Sequence, residues 1–577
     1  MKLTLAKTAG FCMGVRRAVD MVLDASNRSD GLVCTYGPLI HNSQVLEILK
    51  NKGIFILDQI PENGQGTVLI RAHGVPPQDK VTLEQAGFHV IDATCPRVIK
   101  VQTIIHKYAK SGFNTLILGD LDHSEVKGLM GYTKGNGHVI QSVEDLKKLT
   151  EFPKAILVAQ TTQNHDLFSQ VADYIESHHP HYLVFNTICD STSKRQAEVK
   201  EIAKHSDAVV VVGGKNSGNT KRLAQIVSQQ NIPSYHIETE EELNEIAFRD
   251  YQRVGITAGA STPNWIINRV CHCLETMLST QSGNFLKSWQ AIQQALLFTN
   301  IFVAFGAGCL AFASMCMLGI SPVFEQVMMA FLYVLSMHTL NNYTSRKAER
   351  YNYPYRAAFY EQYRIPLLFM AFTAGISGLI LAYFQGIIAF SILLTMSVLG
   401  MAYKMTIFPL GVTSYKIQKI QDIPGSKTIL IAIAWGAVTS ILPAMSTNGN
   451  MTFETLVVFM WSTGLVFARC AFFDLLDIQG NRIVGQETLP GVLGERYTMG
   501  MLRFLSICLF LWGFIFYLCG VAKITTVFVS CSAILFYYLL RYYEKKHLVS
   551  NMRLHFFVES HFVLCGILAW VPWWMLQ

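Results

Sequence analysis

Charge is what this sequence has least of. Asp, Glu, Lys and Arg make up 15% of 577 residues against 51% apolar ones, and the mean hydropathy is +0.30. That balance excludes both a disordered chain and an ordinary wholly soluble enzyme. The first half also lacks any positive excess: up to residue 283, 28 Lys and Arg stand against 29 Asp and Glu, and beyond it 19 against 11. The net +7 therefore belongs to the apolar half, which points to loops beside a bilayer and excludes a nucleic-acid partner. Met1 to Asp20 holds no apolar stretch long enough for a signal sequence, so the first half is expected in the cytosol, with reduced thiols. Missing too is a secreted disulfide framework, since Cys309, Cys316, Cys508, Cys519, Cys531 and Cys565 sit in apolar runs, where buried thiols are expected. The length alone implies two to four domains.

Nine apolar segments follow, near 297–318, 322–340, 365–384, 386–401, 428–446, 454–473, 499–519, 524–540 and 556–576. Most approach the ~20 residues that cross a hydrocarbon core. Loops on one side carry Arg346, Lys347, Arg350, Arg356 and Arg364, then Lys404, Lys416 and Lys419, then Arg482 and Arg496, then Arg541, Lys545, Lys546 and Arg553. The opposite loops carry Lys523. The alternation places the basic loops and the first half in the cytoplasm, at the inner membrane, and Gln577 outside. Two cytoplasmic loops hold polar residues at helix ends: Asn341-Asn342 through Asn352, and Asp474 through Arg482. Asp474 and Asp477, at i and i+3, share a helical face that suits Mg²⁺, although capped, solvated carboxylates have the same spacing. The order of spans and the second loop resemble the UbiA-type intramembrane prenyltransferases over about residues 290–577. That resemblance implies a Mg²⁺-diphosphate site at Asn342, Glu349, Asp474 and Asp477. The first loop departs from the family pattern, keeping Glu349 as its one acid, so weak transferase activity or a purely anchoring role is expected.

The first half repeats itself. Three strand-like stretches run into a cysteine and then a helix-like segment: Leu3–Ala6 to Cys12, His89–Asp92 to Cys95, and Leu183–Asn186 to Cys189. A second strand in each copy ends at Gly37, Gly119 or Gly213, which lie 25, 24 and 24 residues beyond the cysteines. A third ends in Ala72-His73-Gly74, Gln160-Thr161-Thr162 or Ala258-Gly259-Ala260-Ser261. This predicts an α/β fold of three pseudo-repeated units, with polar residues beyond the carboxyl ends of parallel strands. If the units close on one axis, Cys12, Cys95 and Cys189 meet in a central cavity beside His41, His73, His123, Thr161, Ser217, Asn219 and Ser261.

A lone cysteine is usually core, and a lone histidine after a strand is usually a turn residue. Three cysteines at equivalent places argue for shared metal ligation. Structural zinc with a Cys₃His set is the competitor, and with it a zinc or binding domain on a membrane protein. The cysteines, however, are 83 and 94 residues apart, unlike the paired spacings of zinc modules. Cys271 and Cys273 flank His272 and read as helix residues. Three thiolates suit a cubane 4Fe-4S cluster with one iron free of protein ligand. The turn Gly213 to Thr220 offers backbone N–H groups for a diphosphate, and Glu125 offers a proton if burial raises its pKa.

The residues that carry a likeness are Gly10-Phe11-Cys12-Met13-Gly14-Val15, His41-Asn42, Ala72-His73-Gly74-Val75, Asp92-Ala93-Thr94-Cys95-Pro96 and His123-Ser124-Glu125-Val126. With them go Gln160-Thr161-Thr162, Cys189 with Arg195-Gln196, Lys215-Asn216-Ser217-Gly218-Asn219-Thr220 and Thr257 through Ser261. In this order they resemble the hydroxymethylbutenyl diphosphate reductases, the LytB/IspH family, over about residues 1–280. A linker at 281–296 and a membrane domain at 297–577, of about nine transmembrane helices, would follow. The resemblance implies an iron-sulfur oxidoreductase of isoprenoid synthesis that reductively removes an allylic hydroxyl. Cys12, Cys95 and Cys189 would hold the cluster. Glu125 would supply the proton through Thr161 or the diphosphate. His41, His73, His123, Thr161, Ser217, Gly218, Asn219 and Ser261 would hold the substrate. Gly218 stands where many members have serine. Electrons would come from an external donor such as ferredoxin or flavodoxin, since no flavin or nicotinamide site is legible. A bifunctional reductase and prenyltransferase is the alternative.

Overall fold

The computed structural model describes residues 2–28, 31–245, 248, 251–279, 284–403, 420, 423–546 and 552–576. The chain forms two compact units, Met1–Gln281 and Ser282–Gln577.

Twelve strands are described in the first unit. They are β1 (Lys2–Leu5), β2 (Val33–Tyr36), β3 (Ile54–Leu57), β4 (Thr67–Ile70), β5 (His89–Asp92), β6 (Asn114–Leu118), β7 (Gly137–Ile140), β8 (Ala155–Ala159), β9 (Leu183–Val184), β10 (Ala208–Val212), β11 (Ser234–Ile237) and β12 (Arg253–Ala258). They pair in parallel into three four-stranded sheets, ordered β3-β2-β4-β5, β7-β6-β8-β9 and β11-β10-β12-β1. The order is the same each time, because β1 supplies to the third sheet what β5 and β9 supply to the others. Central strands are apolar on both faces: all five residues of Ala208-Val-Val-Val-Val212 and of Ala155-Ile-Leu-Val-Ala159 are buried. Helices cover both sides of such a sheet.

Two features differ from the sequence expectation. Each sheet has a fourth strand (β3, β7, β11), and the strand before each cysteine pairs with the third strand of the preceding copy, not with its own successors. Thus Ile70 lies beside Asp92, Leu157 beside Val184, and Ile256 beside Leu5.

The second unit is all helical among its described residues. Among the described residues seven helices are long and apolar enough to cross a membrane: Ile301–Leu318, Arg364–Gln385, Ser426–Thr447, Phe453–Leu476, Glu495–Leu518, Ile524–Lys545 and Met552–Met575. They mark a multi-pass membrane protein. Two of the nine expected spans form helices that fall short of this. Ile387–Ala402 is a shorter apolar helix, and Phe324–Thr344 is long but carries Gln326, His338, Asn341 and Asn342. Along Arg364–Gln385, Ile365, Phe369, Phe372, Ile376, Ile380 and Tyr383 are exposed. They form an apolar stripe at helical spacing left uncovered by the described residues, as a lipid-facing surface requires. The expected linker, 281–296, includes most of a helix, Asn284–Phe298. Lys404, Lys416 and Lys419, counted in the charge alternation, lie outside the described residues. Cys271 and Cys273 sit within the helix Asn264–Ser279.

Candidate active site

Each of the three cysteines sits between a strand and a helix. Cys12 follows β1 and precedes Met13–Arg28, Cys95 follows β5 and caps Pro96–Lys110, and Cys189 follows β9 and caps Asp190–Lys204. The same hydrogen bond recurs in each copy. The cysteine N–H donates to a carbonyl at the end of the neighbouring strand: Cys12 to Ala260 (3.1 Å), Cys95 to Ala72 (2.9 Å), Cys189 to Thr161 (2.9 Å). This fixes all three side chains at carboxyl ends of strands and at helix N-termini, where the backbone favours a thiolate. All three open into one cavity enclosing about 730 Å³ with its mouth, and none forms a disulfide. Gly14 shows how tightly they converge. A Cβ there would lie 2.5 Å from Cys95 Sγ, although Gly14 belongs to the helix that follows Cys12. Burial raises the Cys95 thiol pKa, with backbone N–H groups of Arg97 and Val98 pulling it down and the other two cysteines adding to the rise. Such repulsion is what a cationic metal centre would relieve.

Around the thiols the cavity receives His41, His73, His123, Glu125, Thr161, Ser217, Gly218, Asn219 and Ser261, every cavity residue expected from the sequence. The imidazoles cluster, with ring centroids 4.8 to 5.5 Å apart. Burial lowers all three histidine pKa values, helped by Arg71 and, for His73 and His123, by neighbouring imidazoles; His123 falls to about 4. They are therefore neutral donors at pH 7. His123 Nδ1 accepts the Glu125 N–H at 3.2 Å, which leaves the proton on Nε2. Ser217 caps the helix Gly218–Ser228. His73 Nδ1 and Asn219 Nδ2 are buried with no partner among the described residues. Orphaned polar atoms of this kind in a cavity indicate a missing polar ligand, and an anion satisfies an amide N–H. Ser261 Oγ instead donates to the His41 carbonyl at 3.1 Å, and Lys215 pairs with Glu242.

Glu125 is 1% exposed, on the helix Ser124–Met130. Its Oε1 accepts the Thr161 N–H at 2.7 Å and its Oε2 the Thr161 hydroxyl at 2.8 Å. Burial nevertheless pushes its pKa up to about 7. It is thus a carboxylic acid poised near neutrality, which is where general acids work best.

Sequence reasoning gave no role to Asp120 and Arg222. Arg222 Nη2 donates to both Asp120 oxygens, at 3.0 and 2.8 Å, joining the His123 turn to the helix after Ser217. The two are 102 residues apart, so spacing carried no signal.

In the second unit the two polar loops meet: a Cβ on Gly480 would overlap the Asn352 amide at 2.0 Å. The expected magnesium ligands are engaged with other side chains. Arg356 Nε and Nη2 reach Glu349 Oε2 at 2.6 and 2.5 Å. Tyr353 donates to Asp477 at 2.5 Å, and Thr428 donates to Asp474. Asn342 donates to Asn300 at 3.1 Å. Asp474 bonds to Thr428 on Ser426–Gly436 and Asp477 to Tyr353 between two short helices, and among the described residues Glu349, Asp474 and Asp477 do not form a group close enough to share one ion.

Residues 3–275 match the family model for the LytB protein. The chain is 40% identical over 283 residues to 4-hydroxy-3-methylbut-2-enyl diphosphate reductase of Geobacter sulfurreducens, covering 49% of this chain and 100% of that one. To the reductase of the same name from Aquifex aeolicus it is 43% identical, covering 46% of this chain and 93% of the relative. Among solved structures, one of (E)-4-hydroxy-3-methyl-but-2-enyl diphosphate reductase is 42% identical, with TM-score 0.39, covering 48% of this chain and 100% of that one. A UbiA homolog from Archaeoglobus fulgidus bound to GPP and Mg²⁺ is 13% identical, with TM-score 0.35, covering 47% of this chain and 98% of that one.

Proposed function

The chain belongs to the LytB family of 4-hydroxy-3-methylbut-2-enyl diphosphate reductases, and from that premise we propose how its residues divide the work. Residues 1–280 remove the allylic hydroxyl of 4-hydroxy-3-methylbut-2-enyl diphosphate to give isopentenyl and dimethylallyl diphosphates. Residues 281–296 link them to 297–577, which hold the enzyme in the inner membrane with the reductase in the cytoplasm. The observation that carries this reading is the threefold repetition of one cysteine, one hydrogen bond and one helix start around a cavity that also contains a buried acid.

The overall change converts C–OH and two electrons and two protons into C–H and water. A 4Fe-4S cluster held by Cys12, Cys95 and Cys189 would supply the electrons and a Lewis-acidic iron when bound. Three free thiols opening into one cavity, with Gly14 leaving room for Cys95, fit such a group. His41, His73, His123, Ser217, Asn219 and the backbone at Gly218 bind the diphosphate, the imidazoles being neutral before it arrives, and Ser261 shapes the wall beside His41. Holding that tail fixes the allylic carbon relative to Thr161. Glu125 is about half protonated at neutral pH, and in the protonated form the contact reverses, Oε2–H donating to the Thr161 hydroxyl, whose own proton goes to the departing oxygen. Electrons arrive from a separate protein of the ferredoxin or flavodoxin class.

The four polar candidates of the membrane half fit a Mg²⁺-diphosphate poorly, since each is bonded within the chain. Anchoring is therefore its proposed role. Anaerobic purification with iron and sulfide analysis tests the reductase half: a full cubane complement supports it, and a colourless zinc protein overturns it.

A further inference from the structure

Arg195 lies on the helix that begins after Cys189, and its side chain is almost wholly enclosed, 4% exposed. Its Nη1 donates to the carbonyl of Ala258 at 3.1 Å and its Nη2 to that of Gly10 at 2.6 Å. Gly10 opens the turn into Cys12, and Ala258 ends β12, next to the Ala260 carbonyl that accepts the Cys12 N–H. Nε has no partner. Among the described residues no carboxylate forms an ion pair with Arg195. Its closest acid along the helix, Glu198, is committed elsewhere, accepting the Lys7 N–H, the Thr8 N–H and the Thr8 hydroxyl at 2.7, 2.8 and 2.6 Å.

A buried guanidinium held only by neutral carbonyls is costly, because its desolvation is not returned by an opposite charge. Two carbonyls and an orphaned N–H describe a cation with no directly bonded counter-charge among the described residues: Glu198 acts on it only through space, its oxygens being taken by Lys7 and Thr8. The geometry points beyond Glu198 to the thiols: Arg195 bonds the carbonyl of Gly10, two residues before Cys12, from the helix that begins after Cys189.

We infer that Arg195 is the counter-cation of the thiolate-held cluster, a positioning residue that favours the cluster's reduced, more negative form while tying down the turn before Cys12. The inference rests on the proposed cluster at Cys12, Cys95 and Cys189. Burial lowers the Arg195 pKa, and Cys12, Glu198 and Cys189 oppose that fall, in that order, so two of the three thiols lie within electrostatic range. A fixed charge this deep is little screened by salt and stabilises whichever state of its neighbour carries more negative charge. Nothing in the substrate's chemistry requires this cation, which lies outside the set lining the cavity.

The test uses the full chain, reconstituted anaerobically, with Arg195→Gln and Arg195→Lys, and reads the cluster's midpoint potential by equilibrium titration. Iron and sulfide per chain in the wild type check the cluster reading separately. With a full complement there, Arg195→Gln is expected to lose about tenfold in preference for the reduced form, about 59 mV for one electron, at both low and high salt. Arg195→Lys, which keeps the charge but not both hydrogen bonds, should stay near the wild type. An unchanged midpoint in Arg195→Gln, or an equal fall in Arg195→Lys, overturns the inference. If Arg195→Gln takes up no cluster, the cluster-free proteins decide. Relief of an uncompensated charge predicts a thermal midpoint equal to or above that of the wild type, and a lower one leaves Arg195 a structural tie only.

Discussion

Thr161 holds Glu125 twice, by its N–H at 2.7 Å and by its hydroxyl at 2.8 Å. The carboxyl, itself at the cavity wall, is thereby fixed beside that hydroxyl. With a pKa of about 7, the acid is protonated below neutrality and loses its proton above it. Turnover per cluster should fall as pH rises through about 7, one decade per pH unit. Glu125→Gln should abolish that dependence and lower kcat by about 10² to 10⁴ while keeping iron and sulfide content. Thr161→Val should lower kcat comparably. A Glu125→Gln enzyme with wild-type kcat would remove the acid from the mechanism.

The same group gives a stability prediction. An ordinary Glu ionises near 4.3, so between that pH and about 7 the native state keeps a proton that the unfolded chain gives up. The stability it contributes is fully present below about 4.3 and fades as pH rises to about 7. Glu125→Gln should therefore match the wild type in thermal midpoint at pH 5 and exceed it at pH 8, where the wild type buries a charge.

Gly14 makes the convergence of the cysteines testable without touching one. A Cβ there sits 2.5 Å from Cys95 Sγ, closer than real Cβ atoms come, so Gly14→Ala must displace that sulfur. The variant should bind little or no cluster by absorbance and iron analysis, as Cys95→Ser should, although all three thiols remain. Gly218→Ser is the contrasting case. Its Cβ would meet His123 and Asp120 at 3.7 and 3.8 Å, ordinary contact distances. That variant should load normally, and its hydroxyl should tighten substrate binding two- to tenfold, about 0.5 to 1.5 kcal/mol for one hydrogen bond.

The cysteines were legible because equal intervals placed them, and the polar residues around them lay at strand ends by the same rule. The edge strands were not legible. Ile54–Leu57 is half exposed, without clean alternation, and Gly137–Ile140 and Ser234–Ile237 are short with mixed polarity. Nor does spacing say which sheet a strand joins, so the pairing of β1 with β12 came from the structure alone. Arg195 looks like part of a solvated face, set in the polar run Asp190 to Lys204. Only its burial, like the Arg222–Asp120 contact, distinguishes it from a surface charge.

Three neutral imidazoles in a site for an anion imply proton uptake on binding. Burial and mutual proximity hold His41, His73 and His123 below their ordinary pKa, and a diphosphate reverses that balance. Titration of inorganic diphosphate into the cluster-loaded chain should show tighter binding as pH falls from 8 to 6. Heats measured in buffers of different ionisation enthalpy should report net proton uptake. Affinity independent of pH, with no uptake, would mean that the histidines contact no charge.

In the membrane half, Arg356 and Glu349 form a largely but not fully buried pair, 17% and 15% exposed, so the cost of breaking it should lie toward the lower end of the range for buried pairs. Removing one partner of such a pair leaves an uncompensated charge and costs about 3 to 5 kcal/mol, whereas removing both costs far less. Arg356→Met should therefore lower the thermal midpoint of the full chain in detergent, and the double variant with Glu349→Gln should recover most of it. If the half only anchors, neither Mg²⁺ nor a long-chain prenyl diphosphate with Mg²⁺ should raise the wild-type midpoint. A rise that needs both ligands and disappears in Asp474→Ala would instead make this half a diphosphate-binding enzyme, since Asp474 is bonded to Thr428 rather than to the arginine pair.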